Sequence, residues 1–144
     1  PAILIWRGSR DNIVENNTMS NNQRDISMGL EISPTSTPDN RFGVVSGNII
    51  TRSGANNDVS IMIADSPGTI VTRNTINGTG GYPNSAEARF PRTTGIHIID
   101  NNFPGSVQLR DGATGEVARN GEVVPPPPPP PGIVPLAPTD LKLQ

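Results

Sequence analysis

The sequence predicts an all-β solenoid of stacked parallel strands, and three observations lead there. The first is a recurring phrase: an aliphatic residue, two spacers, Asn, one spacer, an apolar residue. It occurs at Val14, Asn17 and Met19, at Val45, Asn48 and Ile50, at Val71, Asn74 and Ile76, and at Ile98, Asn101 and Phe103. A fainter copy follows at Val117 and Asn120. Successive asparagines of the four clear copies lie 31, 26 and 27 residues apart, a period typical of solenoids. The second observation is a period-two strand pattern beside each phrase. The third is punctuation by Pro and Gly, too frequent for helices, around phrases rich in β-branched residues.

The elements follow in chain order. Ile3-Leu4-Ile5-Trp6 is an incomplete opening strand. Met28-Gly29-Leu30-Glu31-Ile32, Val59-Ser60-Ile61-Met62-Ile63, Ala86-Glu87-Ala88-Arg89-Phe90 and Val107-Gln108-Leu109-Arg110 alternate or nearly alternate. Ile5, Ile32, Ile63, Phe90 and Leu109 are aligned as equivalents. The turns after the last three strands are Ala64 to Gly68, Pro91 to Gly95 and Arg110 to Gly115, rich in residues that favour turns. Longer excursions at Pro34 to Arg41 and Gly78 to Ser85 mark candidate binding loops. Stacking like on like gives parallel sheets. It also sets the asparagines one above another, where each buried amide can bond the next. Asn17, Asn48, Asn74 and Asn101 are therefore expected to form an internal ladder.

Composition agrees with a thin core rebuilt coil by coil. Hydrophobic residues are 33% and aromatics 3% of the 144-residue chain. The net charge of −2 gives no basic surplus for nucleic acid. Lys142 is the only lysine, and no cysteine is present for a disulfide or a thiolate metal site. No apolar run has the length of a membrane span. The chain opens on Pro1-Ala2-Ile3-Leu4-Ile5, already a strand pattern, and is read as a piece of a longer protein.

These phrases resemble the right-handed parallel β-helix proteins of the pectate-lyase-like superfold. The stretch from Pro1 to Asp11, Tyr82-Pro83-Asn84 and the stretch from Glu87 to Gly95 resemble secreted bacterial β-helix repeat proteins. The resemblance implies a single-stranded right-handed solenoid of about four coils over residues 1–123. It also implies a secreted or cell-surface location and a carbohydrate-active role. A proline-rich linker is expected over 124–135, where Pro125 to Pro131 favour an extended polyproline spacer. Residues 136–144 resemble the first strand of a fibronectin type III domain, so further domains of the same parent chain are expected partners.

Such a solenoid carries its sites on the outer face of a sheet. The alignment gives one outer column of Leu4, Glu31, Met62, Arg89 and Gln108, and a neighbour of Gly29, Ser60, Glu87 and Ser106. The expected ligand is a polysaccharide. Glu87 and Arg89, alternating in one strand beside the second long loop, are the candidate catalytic pair. Trp6, Arg7, Glu31, Arg92, Arg110 and Asp111 are the candidate substrate contacts: Trp6 can stack on a sugar ring, and arginine forks match carboxylates. Uronide β-elimination would need a cation for the carboxylate, a base and an acid. Lyases of the resembled fold often use Ca²⁺ with an Arg or Lys base. No Lys lies in the coils and no carboxylate run marks a Ca²⁺ site, so no cofactor is assigned and Ca²⁺ stands as an open alternative. Hydrolysis would need paired carboxylates, for which Glu31 with Glu87, or Asp65 with Asp111, have a two-coil spacing. The competing reading is a non-catalytic carbohydrate-binding, adhesive or stalk module.

Overall fold

The computed structural model describes residues 1–32, 37–55 and 57–121. The expected linker and the fibronectin-like ending lie outside the described residues, which contain strands and turns but no helix. The first coil runs through β1 (Ile3–Ile5), β2 (Ser9–Arg10), β3 (Ile13–Glu15) and β4 (Thr18–Ser20). The second runs through β5 (Ile26–Met28), β6 (Asn40–Arg41), β7 (Val44–Ser46) and β8 (Ile49–Thr51). β9 (Ile61–Ala64), β10 (Ile70–Thr72) and β11 (Thr75–Asn77) make the third coil. β12 (Asn84–Arg89) and β13 (Ile96–Ile99) carry the fourth, with an isolated bridge from Thr75 to Asn102 in place of a third strand. β14 (Ser106–Arg110) and β15 (Gly115–Ala118) begin a fifth.

Every pairing is parallel and joins one coil to the next. The first sheet is ordered β1-β5-β9-β12-β14, the second β3-β7-β10-β13-β15, and the third β4-β8-β11; β2 and β6 pair at a corner. The chain is thus a right-handed parallel β-helix of four turns and part of a fifth.

The inner side chains follow from period two. Val14, Val45, Val71, Ile98 and Val117 share one inner column of the second sheet. Met19, Ile50 and Ile76 share one of the third. Except for Val117, which is exposed at the end of the stack, these side chains fill or pack against a single continuous core with Ile26, Met28, Ile61, Ile63, Ala86 and Ala88 of the first sheet. Each fully enclosed Ile or Val contributes about 1.5–3 kcal/mol of transfer free energy.

The corner after the second sheet explains the recurring Asn. In all five coils one residue there is left-handed: Asn16, Gly47, Arg73, Asp100 and Arg119, with φ from 51° to 64°. For a non-glycine residue that conformation costs about 1–2 kcal/mol, so something must hold it. The next residue is always Asn. Asn48 Nδ2 bonds Ser46 O at 3.2 Å across its own corner, and Asn74 and Asn101 bond Thr72 O and Ile99 O at 3.0 Å. The same amides reach between coils. Asn17, Asn48, Asn74 and Asn101 donate from Nδ2 to the next Oδ1 at 3.0, 2.9, 2.9 and 2.8 Å, the last acceptor being Asn120. Each Oδ1 also accepts the backbone N–H of the Asn in the preceding coil, at 3.0 Å for the three inner steps. Asn48, Asn74 and Asn101 are fully buried.

The register of the first sheet differs from the sequence alignment in two coils. Ile5, Ile63 and Leu109 are equivalent, but their partners are Met28 and Ala88, not Ile32 and Phe90. In coil two the strand stops at Met28 because Gly29 turns left-handed at φ 80°. A Cβ there would sit 1.8 Å from Ala64 O, so only glycine fits. In coil four the small Ala86 and Ala88 face inward, and Phe90 leaves the strand at φ 79°. Phe90 then packs outside the solenoid with Val59, Met62, Ala64, Leu30 and Tyr82.

Candidate functional site

The corrected register rebuilds the outer face of the first sheet. Its central column is Leu4, Ser27, Met62, Glu87 and Gln108. Beside it Ala64, Arg89 and Arg110 share the next outer position. Glu31 is not on this face. It lies exposed beyond the end of β5, where its backbone N–H meets Asp39 Oδ2 at 3.5 Å. The two-coil pairing of Glu31 with Glu87 is therefore lost, and Ser27 takes the sheet position.

Glu87 is the node of this face. Although it points out of the solenoid, the second loop folds over it and it is completely buried. Its Oε1 accepts from Tyr82 Oη at 2.8 Å and Asn84 Nδ2 at 2.5 Å. Its Oε2 accepts from Arg89 Nε at 2.7 Å, Arg89 Nη2 at 2.5 Å and Arg110 Nη1 at 3.1 Å. Burial pushes the Glu87 carboxyl up. The hydrogen bonds from Asn84, Tyr82 and Arg89, with the Arg89 charge, outweigh burial and hold it below the usual carboxylate range. The same carboxylate, as acceptor, raises the Tyr82 phenol, with burial adding to the effect. Glu87 also raises Arg110 through its charge. Glu87 is thus an ionised anchor with both oxygens occupied. Arg89 and Arg110, on adjacent coils roughly 4.8 Å apart in the sheet, are the groups it presents outward, with side chains 23% and 42% exposed.

The other predicted residues fall into separate places. Trp6 carries the Arg7 guanidinium over its ring at 4.3 Å, on the first coil, far along the axis from Arg110 on the fifth. Arg92 grips Asp65 of the preceding coil with Nε and Nη2 at 2.6 and 2.5 Å, a fork matched to a buried carboxylate. Asp111 is exposed in a left-handed corner directly after Arg110. Of the predicted residues, Glu87, Arg89 and Arg110 meet at one carboxylate, while Trp6 and Arg7 meet only each other. Tyr82 and Asn84 were not singled out from the sequence as site residues. The signal available for them was the Tyr82-Pro83-Asn84 stretch in a long loop next to Glu87.

Two further features bound the site. Tyr82 also lines a cleft of about 480 Å³ between residues 79–83 and 104–106. At the entry to the first sheet, a second ionic group joins Arg24 to Asp58 and sets Asp25 3.6 Å from Arg52, both fully enclosed. Burial raises the Asp25 carboxyl, opposed by the bond from Asn22 and the Arg52 charge. No sequence pattern pointed to this pair, because Asp25 and Arg52 lie at opposite ends of the second coil and neither belongs to the repeat. On the second sheet His97 stands exposed, with Nδ1 3.0 Å from Glu116 Oε2.

Comparison with known families gives a match over most of the chain. A model of the NosD family, described as periplasmic copper-binding protein, matches residues 3–120, the entire described solenoid but for its terminal residues. The chain belongs to the NosD family. The family's periplasmic description agrees with the expected location outside the cytoplasm, and this NosD member contains no helix, among its described residues, long and apolar enough to cross a membrane. No curated protein and no solved structure matches the chain.

Proposed function

We propose that this NosD-family β-helix binds acidic polysaccharide without cleaving it, on the outer face of the first sheet at its Arg89 and Arg110 edge. The observation that carries this reading is the sharing of one buried carboxylate by two arginines on consecutive coils. The triad of Glu87, Arg89 and Arg110 has a net charge of +1, and its anion lies beneath its cations. Glu87 fixes both guanidiniums in advance, so a uronate carboxylate or sulfate meets preset donors rather than floppy side chains. The Tyr82 cleft adjoins this edge through Asn84 and Ser106, whose hydroxyl bonds Asn84 Oδ1. Its aromatic, proline and glycine lining suits a sugar ring next to the charged one.

Binding is favoured over cleavage for a specific reason. A general base needs an open lone pair within reach of substrate. Glu87 has none, and the Tyr82 phenol is raised and donates to Glu87. In this reading Glu87 is a positioning residue, and Arg89 and Arg110 are assigned as arginines of the face rather than as bases.

The test is affinity electrophoresis through gels containing polygalacturonate, alginate or a neutral glucan. Wild type is expected to be retarded by an acidic polymer and not by the neutral one. Arg110→Ala and Arg89→Ala are each expected to lose most of that retardation while circular dichroism stays unchanged. Retardation that survives both substitutions would remove the arginine edge from the site. A rise in ultraviolet absorbance on incubation with a polyuronide, with or without Ca²⁺, would instead establish β-elimination and overturn the non-catalytic reading.

A further inference from the structure

The family description names copper, and the donor chemistry of this chain can be tested against that ion residue by residue. Cu(I) selects soft thiolate and thioether sulfur, and Cu(II) selects imidazole-rich tetragonal sites. The whole sequence offers no Cys, one His and three Met. The three methionines do not converge. Met28 is fully buried on the inner side of the first sheet, within the main core. Met62 is fully buried on the opposite side of that sheet, in the small outer cluster. Met19 packs against the core from the third sheet, in register with Ile50. Sheet backbone therefore separates Met62 from Met28, and Met19 belongs to another wall of the coil.

The single imidazole fares no better. His97 is exposed on the second sheet and has one acidic neighbour, Glu116. No group of three His, Cys, Asp or Glu side chains able to hold a metal ion occurs among the described residues. Residues outside the described set add no His, Cys or Met. One imidazole and one carboxylate, both half exposed, fall short of the three or four donors that fix a copper ion.

We infer that this chain is a member of its family that holds no copper ion of its own. Any copper handled by an assembly containing it must be held by thiolate, thioether or imidazole donors outside residues 1–144. The inference is independent of the polysaccharide reading, since it rests on the donor inventory and not on the arginine edge.

The experiment uses the full chain with the metal alone. Cu(I) is presented in complex with a chromophoric chelator under reducing, anaerobic conditions, and Cu(II) in complex with a colour-reporting chelator in air. The expected result is that the chelator spectra do not change on adding a molar equivalent of protein, and that the thermal midpoint does not move. Withdrawal of one equivalent of either ion would overturn the inference. So would a rise in thermal midpoint, which a ligand bound only by the folded state must cause. If His97→Ala abolishes such withdrawal, copper belongs to the His97 and Glu116 pair; if not, it belongs to donors outside it. Either result contradicts a copper-free chain.

Discussion

Asn74→Leu is expected to lower the unfolding free energy by about 3–4 kcal/mol, enough to remove much of the stability of a single domain. Leucine matches the volume but offers no donor or acceptor. Asn48 loses the acceptor of its backbone N–H, and the carbonyls of Val45 and Thr72 lose a donor. Two or three buried groups left unpaired cost about 1–3 kcal/mol each. The left-handed Arg73 loses the amide that spans its corner. Asn17→Leu is the control. Asn17 is partly exposed at the first coil and no asparagine side chain donates to it among the described residues, so its loss is expected to cost about 1 kcal/mol. Denaturant midpoints of the two variants decide the matter. Equal midpoints would mean that the amide column contributes nothing beyond the corner.

Glu87→Gln is expected to cost about 2–3 kcal/mol at neutral pH, below the 3–5 kcal/mol of breaking a fully buried pair because Arg89 and Arg110 recover water. The amide keeps the volume but removes the charge, and its NH₂ meets donors. The effect should depend on pH in a defined direction. The folded Glu87 carboxyl is held below the usual value near 4.3. Its stabilisation is therefore fully present above about pH 4.3 and is lost as the pH falls through the folded value. The gap between wild type and Glu87→Gln should be wide at pH 7 and narrower at pH 3. A gap that stays constant would show that folding does not lower the Glu87 carboxyl, and a gap that widens toward pH 3 would show a carboxyl kept neutral in the fold. Asp25 has the opposite sign: its raised carboxyl favours the protonated fold, a contribution present at low pH and lost as the pH rises through the folded value.

Sequence reasoning recovered the walls of the solenoid where each coil repeats the same residues. The second and third sheets were readable because Val, Asn and Ile recur at fixed offsets, and even Asn120 continues the amide column. The first sheet was misread in two coils for a physical reason. Met28-Gly29-Leu30-Glu31-Ile32 alternates as a strand should, yet close approach of Ala64 O makes Gly29 a turn. Phe90 looked like a core residue, whereas a wall already filled by Ile61 and Ile63 accepts Ala86 and Ala88 opposite them. Correcting the four-residue slip in coil two and the two-residue slip in coil four moves Glu31 off the face and Glu87 from a side column to the centre. The candidate site was legible only in part. Glu87 with Arg89 could be picked by alternation beside a long loop. Their meeting with Tyr82, Asn84 and Arg110 depends on how the loop folds over the sheet, which no periodicity encodes.

The most direct test of the account is calorimetric titration of the full chain with a defined oligouronate and with the same oligosaccharide after its carboxyls have been reduced to alcohols. Binding of the uronate, weakened by salt and absent for the neutral oligomer, is the predicted result. It should disappear in Arg110→Ala. Equal binding of both oligomers, or uronate binding that Arg110→Ala leaves untouched, would contradict recognition of acidic sugar by the Arg89 and Arg110 edge.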